Sequence, residues 1–373
     1  MKKALVVFIL LAFAGSGLFA QTFTWNGFID GGIAAMNLGA EEEWTFGVVS
    51  PHQAGNGSRA RLNWAFTNAQ ANAGFFVRVQ AQGASGNFAE NPMELHRAYG
   101  WVKLFNDMVE LRGGRIWDDF MWADEPFGWG YSTWGTAFGI NAHVRPTDMI
   151  TIALGARSAN RLGDFADFES GALGLWGGIG FDLPGTAIVR ASMLHDDTQT
   201  NAMAYARITA VADFRFDLVF NVNRLDEFGD LGLMHGMLFA QFSGLPGIGL
   251  GLVGQFAQSN VEGDDDLFMN FGGWVDYTIN DIQLAVHLGY TSGGTYNYGL
   301  SLWSGATFFN GFEFDSDYSF FTVRPNIQIR ATNAAVWNTG VVVNMELGDF
   351  GAAGGTSDDK LSFGVYSAVR IGF

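Results

Sequence analysis

From residue 22 to its last residue, the chain alternates. In Phe214-Arg215-Phe216-Asp217-Leu218-Val219-Phe220-Asn221-Val222-Asn223, positions 214, 216, 218, 220 and 222 are apolar and the opposite set is mostly polar. Ile282-Gln283-Leu284-Ala285-Val286-His287-Leu288-Gly289-Tyr290 and Val323-Arg324-Pro325-Asn326-Ile327-Gln328-Ile329-Arg330 repeat the pattern, and Ile248-Gly249-Leu250-Gly251-Leu252 alternates apolar residues with glycine. A period of two places one set on each face of a β-strand. Eighteen such segments follow one another, at roughly 22–35, 58–68, 73–83, 94–105, 108–117, 133–145, 148–157, 171–183, 186–195, 202–212, 214–223, 232–242, 247–257, 267–279, 281–291, 318–330, 335–347 and 360–373. A globular strand is usually about five or six residues long. Most of these segments are about twice that, the length a tilted strand needs to cross a bilayer.

The links between segments sort by parity. Asn68–Asn72, Asn106-Asp107, Pro146-Thr147-Asp148, Pro184-Gly185, Ser243–Pro246 and Asn280-Asp281 are short and fall at every second link. The intervening links 36–57, 118–132, 158–170, 258–266, 292–317 and 348–359 are mostly longer. Short turns on one side and long loops on the other characterise a transmembrane barrel whose turns face the periplasm. A soluble sandwich would need a second sheet matched to every apolar face. The expected fold is therefore all-β: an antiparallel up-and-down transmembrane β-barrel of about eighteen strands, with sixteen as the alternative count. It forms one domain over residues 21–373, with no plug domain before the first strand.

Residues 1–20, MKKALVVFILLAFAGSGLFA, read as a secretory signal peptide: Lys2 and Lys3, then an apolar stretch, then small residues before Ala20. The apolar stretch is too short for a spanning helix, which needs about 20 residues. The sequence contains no cysteine, which excludes a lipid-anchored lipoprotein, disulfides and thiolate metal sites. Removing Lys2 and Lys3 leaves 18 basic against 37 acidic residues, a formal charge of −19. That charge argues against nucleic acid as a partner and points to a mild cation preference in any pore.

The last strand reads Leu361-Ser362-Phe363-Gly364-Val365-Tyr366-Ser367-Ala368-Val369-Arg370-Ile371-Gly372-Phe373. Its alternation and terminal phenylalanine resemble the C-terminal signature of bacterial outer-membrane proteins. That resemblance implies that Tyr366, Val369, Ile371 and Phe373 are read by the barrel-assembly machinery. The whole chain resembles a porin-type barrel. The ending Leu18-Phe19-Ala20-Gln21 and the low lysine content resemble spirochaetal outer-membrane proteins.

Eight strands leave an interior just filled by side chains, whereas sixteen to eighteen leave an aqueous channel. The porin resemblance therefore implies a water-filled pore for passive diffusion of small polar solutes and ions, in contact with outer-membrane lipid. Parity places Arg61, Arg78, Arg97 and Arg112 on the inner face, one per strand on four successive strands. The third external loop, 118–132, carries Asp118, Asp119, Asp124 and Glu125 among bulky aromatics. In general porins this loop folds inward, and its acids face an arginine patch; an external cap over the mouth is the other arrangement open to it. Trp101, Trp176, Tyr205 and Trp274 share lumen parity, as the aromatic track of a sugar-selective channel would, although they are scattered among the strands. Trp25, Trp134 and Tyr277 point outward, as interface anchors do. A closed structural or adhesive barrel is a further alternative.

Neither catalytic nor metal residues are expected, and no cofactor. The six histidines have no metal spacing, and His195-Asp196-Asp197 lacks a serine partner. The acidic runs 41–43 and 262–266 read as solvated loop tips. Porin-type barrels are commonly trimers, so the resemblance admits a homo-oligomer, though no segment marks an interface.

Overall fold

The computed structural model describes residues 22–37, 44–49, 58–83, 93–117, 120–121, 136–158, 173–195, 200–223, 233–259, 267–291, 318–349 and 361–373. The expected signal peptide lies outside them. The described strands are β1 (Thr22–Asn37), β2 (Trp44–Val49), β3 (Ser58–Thr67), β4 (Ala73–Gly83), β5 (Glu94–Leu104), β6 (Val109–Trp117), β7 (Thr136–Thr147), β8 (Ile150–Ser158), β9 (Leu173–Leu183) and β10 (Ala187–His195). They continue with β11 (Thr200–Ile208), β12 (Phe214–Asn223), β13 (Leu233–Leu245), β14 (Ile248–Ser259), β15 (Leu267–Ile279), β16 (Ile282–Thr291), β17 (Tyr318–Thr332), β18 (Ala335–Asp349) and β19 (Leu361–Gly372).

From β3 to β19 each strand pairs antiparallel with its neighbour in sequence, and β19 returns to pair with β1, from Phe28↔Gly372 to Asn37↔Phe363. On its other side β1 meets two strands in succession. It pairs with β3 along Thr22–Asp30 and with β2 along Gly32–Asn37. β2 and β3 therefore share one place in the wall, and the closed barrel has eighteen staves. β2 corrects the sequence expectation, which read 36–57 as loop. Six residues are too few to cross a bilayer, so Trp44 and Phe46 alone gave no spanning signal; the strand exists because the upper end of the 16-residue β1 needs backbone partners.

The short links are tight turns. Asn106, Asp107, Asp213 and Asn280 have positive φ, as do Gly185 and Gly247. Hairpin turns that match the strand twist require such conformations, and Asn, Asp and Gly reach them at least cost.

The two faces invert the soluble arrangement. Outward stand Ile33, Ile140, Leu238, Leu252 and Phe271, with Ile33 72% and Leu252 66% exposed. Inward stand Asp30, Gln80, Glu110, Asn141, Asp217 and Thr322, all buried. An apolar surface of this extent is stable only against lipid, and a closed barrel leaves no unpaired sheet edge there. The protein is a transmembrane β-barrel.

The seam is closed at the chain's end. The Gly27 amide donates to the Phe373 carbonyl oxygen and the Phe373 amide donates to that of Gly27, each at 3.0 Å. The Phe373 ring lies over Gly27, where a Cβ would stand 2.8 Å from its Cζ, and its centroid is 5.7 Å from that of Trp25. Val369, Ile371 and Phe373 face outward; Tyr366 is buried on the inner side.

Candidate functional site

The inner wall is chemically two-sided. On one side, around the seam, lie arginines. Arg61 Nε donates to Gln80 Oε1 at 2.8 Å, and Arg78 Nε donates to Asn63 Oδ1 at 2.7 Å. Arg97 stands directly opposite Arg78 in the β4–β5 register, and its guanidinium lies 4.5 Å from the Trp117 ring centroid. A β-bulge beside this pair inserts His96 and re-aims the upper end of β5. Three of the four expected arginines are thus brought together.

Arg112 is set apart. It is in register with Trp101, four residues along β5 from Arg97, or roughly 13 Å of strand. Its Nε donates to Glu110 Oε1 at 2.6 Å, and Arg145 approaches the same carboxylate at 3.5 Å.

Two arginines that sequence reasoning passed over complete the patch. Arg59 and Arg370 flank Arg61, and all three surround the Phe28 ring at 4.9, 4.0 and 5.3 Å respectively. Both share inner parity with residues already singled out, Arg59 with Arg61 and Arg370 with Tyr366. Parity alone would have found them. Asp30, only 1% exposed, accepts from Arg370 Nε at 3.1 Å and from Arg59 Nη2 at 3.5 Å. Charged hydrogen bonds across the β19–β1–β3 seam are the stronger class of hydrogen bond.

Elsewhere several described inner carboxylates are already bonded. Asp217 holds Arg207 and Arg215, and Asp182 holds Arg190. Asp276 accepts from the Trp274 indole at 3.2 Å and from Gln283 at 3.0 Å. The inner wall described here carries more arginine than carboxylate, although the chain as a whole is acidic.

The opposite side carries an apolar cluster set among the Asp182–Arg190 and Asp217–Arg207–Arg215 ion pairs. Ala153, Trp176, Met203, Tyr205, Val219, Met237, Phe239 and Val253 form one cluster along the inner face of β8–β14, with Trp274 packed against it. Three of the four expected lumen aromatics therefore gather, and Trp274 stacks on Phe239 with centroids 5.6 Å apart. The sequence could not show this, since the rings are dispersed along the chain and only the registers align them. Trp101 stays away, under the Lys103 ammonium at 5.7 Å. Trp176 and Tyr205 are 5% and 3% exposed, so they are packed into the wall rather than presented as a track.

Phe120 and Met121, from the third external loop, belong to this cluster. The chain enters the barrel within three residues of the end of β6. The acids Asp118, Asp119, Asp124 and Glu125 lie outside the described residues. Among the described residues, no three His, Asp or Glu side chains come together as a metal-ligand set. His195 ends β10, exposed, with its Nδ1 2.9 Å from the Thr200 hydroxyl.

No family model and no curated protein matches the chain. Solved structures do. OccAB4 of Acinetobacter baumannii superposes with a TM-score of 0.54 at 9% identity, over 95% of this chain and 99% of that one. OccD3 of Pseudomonas aeruginosa gives 0.54 at 9%, over 96% and 94%. An anion-selective porin from Comamonas acidovorans gives 0.48 at 14%, over 95% and 100%. Neither OccAB4 nor OccD3 comes from a spirochaete, so they lend no support to a spirochaetal origin. In its closed eighteen-stave wall, apolar outside and polar within, the chain has the fold of an outer-membrane β-barrel of the porin type.

Proposed function

We propose that the protein is a porin: a water-filled channel for passive diffusion of small polar solutes and ions, with the third external loop, 118–132, as its constriction. The observation that carries this reading is a wall of eighteen staves, wide enough for an aqueous lumen, with that loop's Phe120 and Met121 packed inside it. The patch of Arg59, Arg61, Arg78, Arg97 and Arg370 has one bonded carboxylate in its midst and favours anions. This replaces the cation preference suggested by the overall charge, because a permeating ion responds to the charges lining its path.

Purified protein in a planar bilayer should open discrete conductance steps, and a salt gradient should give a reversal potential of anion-selective sign. Absence of conductance from folded barrels would favour the closed adhesive reading. A sugar track is disfavoured by the burial of Trp176 and Tyr205, which leaves little ring surface for a solute.

A further inference from the structure

Phe120 sits in a seat made for a ring. Gly178 on β9 has no side chain where the ring lies, and a Cβ there would collide with Phe120 Cε1; at Gly180 it would stand 3.4 Å from Cε2. His143 on β7 meets the ring at a centroid distance of 6.1 Å and Trp176 at 6.2 Å. Arg190 on β10 closes the seat. Its Nη1 donates to the Phe120 carbonyl oxygen at 2.6 Å, and its guanidinium carbon lies 5.7 Å from the ring centroid. Asp182 holds the other nitrogen, Nη2, at 3.4 Å, which fixes the direction in which Nη1 points. Met121 beside it is 0% exposed.

The wall accounts for these parts only partly: a Cβ at Gly178 would also come within 2.9 Å of the Ala191 carbonyl oxygen and of Ser192 Cβ on β10, but its nearest clash is with Phe120. The β8–β9 and β9–β10 ladders are complete through backbone pairing. Glycine inside a strand weakens it and often marks a place where other groups approach closely. Here two glycines, two residues apart on the inner face of β9, leave the volume that Phe120 fills.

We propose that Phe120 and Met121 are a latch that holds the third external loop inside the lumen, with Gly178 and Gly180 as its socket and Arg190 as the positioning residue that locks it through the backbone carbonyl. Its consequence for permeation rests on the channel reading. The latch occupies the lumen beside β7–β10, so the passage runs along the other side, past Arg61, Arg78 and Arg97. Solutes are thereby pressed toward the cationic wall.

The chain has no cysteine, so Met121→Cys introduces a unique thiol, tested in folded barrels identified by their unheated gel mobility. A water-soluble maleimide should modify it slowly. Adding Arg190→Ala, or separately Phe120→Ala, should raise the rate about ten-fold or more, equivalent to about 1.4 kcal/mol. Arg190→Lys, which keeps a charged donor, should restore part of the protection. In bilayers the Arg190→Ala and Phe120→Ala barrels should show larger and noisier conductance than the parent. Equal, fast modification in every barrel would overturn the latch, as would rates unmoved by either alanine variant. If the thiol is protected and released as expected but not even the parent conducts, the latch stands and the channel reading falls.

Discussion

At Asp30 one carboxylate answers two arginines from two neighbouring strands, and it has almost no contact with water. Removing one partner of a buried charge group is costly because the remaining charge keeps its desolvation penalty; in a dry interior the loss is about 3–5 kcal/mol, and water in the lumen reduces it. Asp30→Asn keeps the shape and removes the charge. Its urea midpoint in detergent, followed by gel mobility, should fall clearly below that of the parent. Arg61→Gln makes the instructive contrast. Arg61 is bonded to the neutral Gln80, and several like charges crowd it, so its loss should leave the midpoint unchanged or raise it. The same substitution should shift ion selectivity away from anions, most strongly when combined with Arg78→Gln and Arg97→Gln.

The last strand shows how an element depends on a single fit. β19 aligns on β1 through the reciprocal Gly27–Phe373 hydrogen bonds, and the terminal ring needs the bare face of Gly27. Deleting Phe373 should reduce folded protein in the membrane while leaving the circular dichroism of purified barrels nearly unchanged. Gly27→Leu should act in the same direction by displacing the ring; normal assembly of both variants would remove the assembly role. Elements of this kind were legible in the sequence wherever alternation persisted. The strands Phe214–Asn223 and Leu267–Ile279 have the bounds their periodicity predicts. β2 escaped because six residues carry too little period to distinguish from loop. The bulge at His96 escaped because parity reasoning assumes an unbroken register. The seat of Phe120 escaped for a different reason: Gly178, His143 and Arg190 meet only through the pairing of four strands, and a sequence holds no record of which rungs align.

The whole molecule is a wall with lipid on one side and solute on the other, so the cost of a charge depends on the face that receives it. Leu238→Arg, on the outer face of β13, should cost about 2–4 kcal/mol if it lies near the bilayer midplane, measured by unfolding from liposomes. The cationic patch adds a constraint on the order of events. Arg59 and Arg61 on β3, Arg78 on β4 and Arg97 on β5 come from the beginning of the wall, and Arg370 comes from its last strand. In an open ribbon Arg370 stands at the opposite edge from the other four. It becomes their neighbour only as β19 docks on β1, so its repulsion falls due at ring closure, with Asp30 offsetting part of it. Closure then carries a salt-sensitive repulsion of its own, added to that already met when β3, β4 and β5 pair. Refolding into detergent should show a final phase that accelerates with ionic strength, and Arg370→Gln should flatten that dependence.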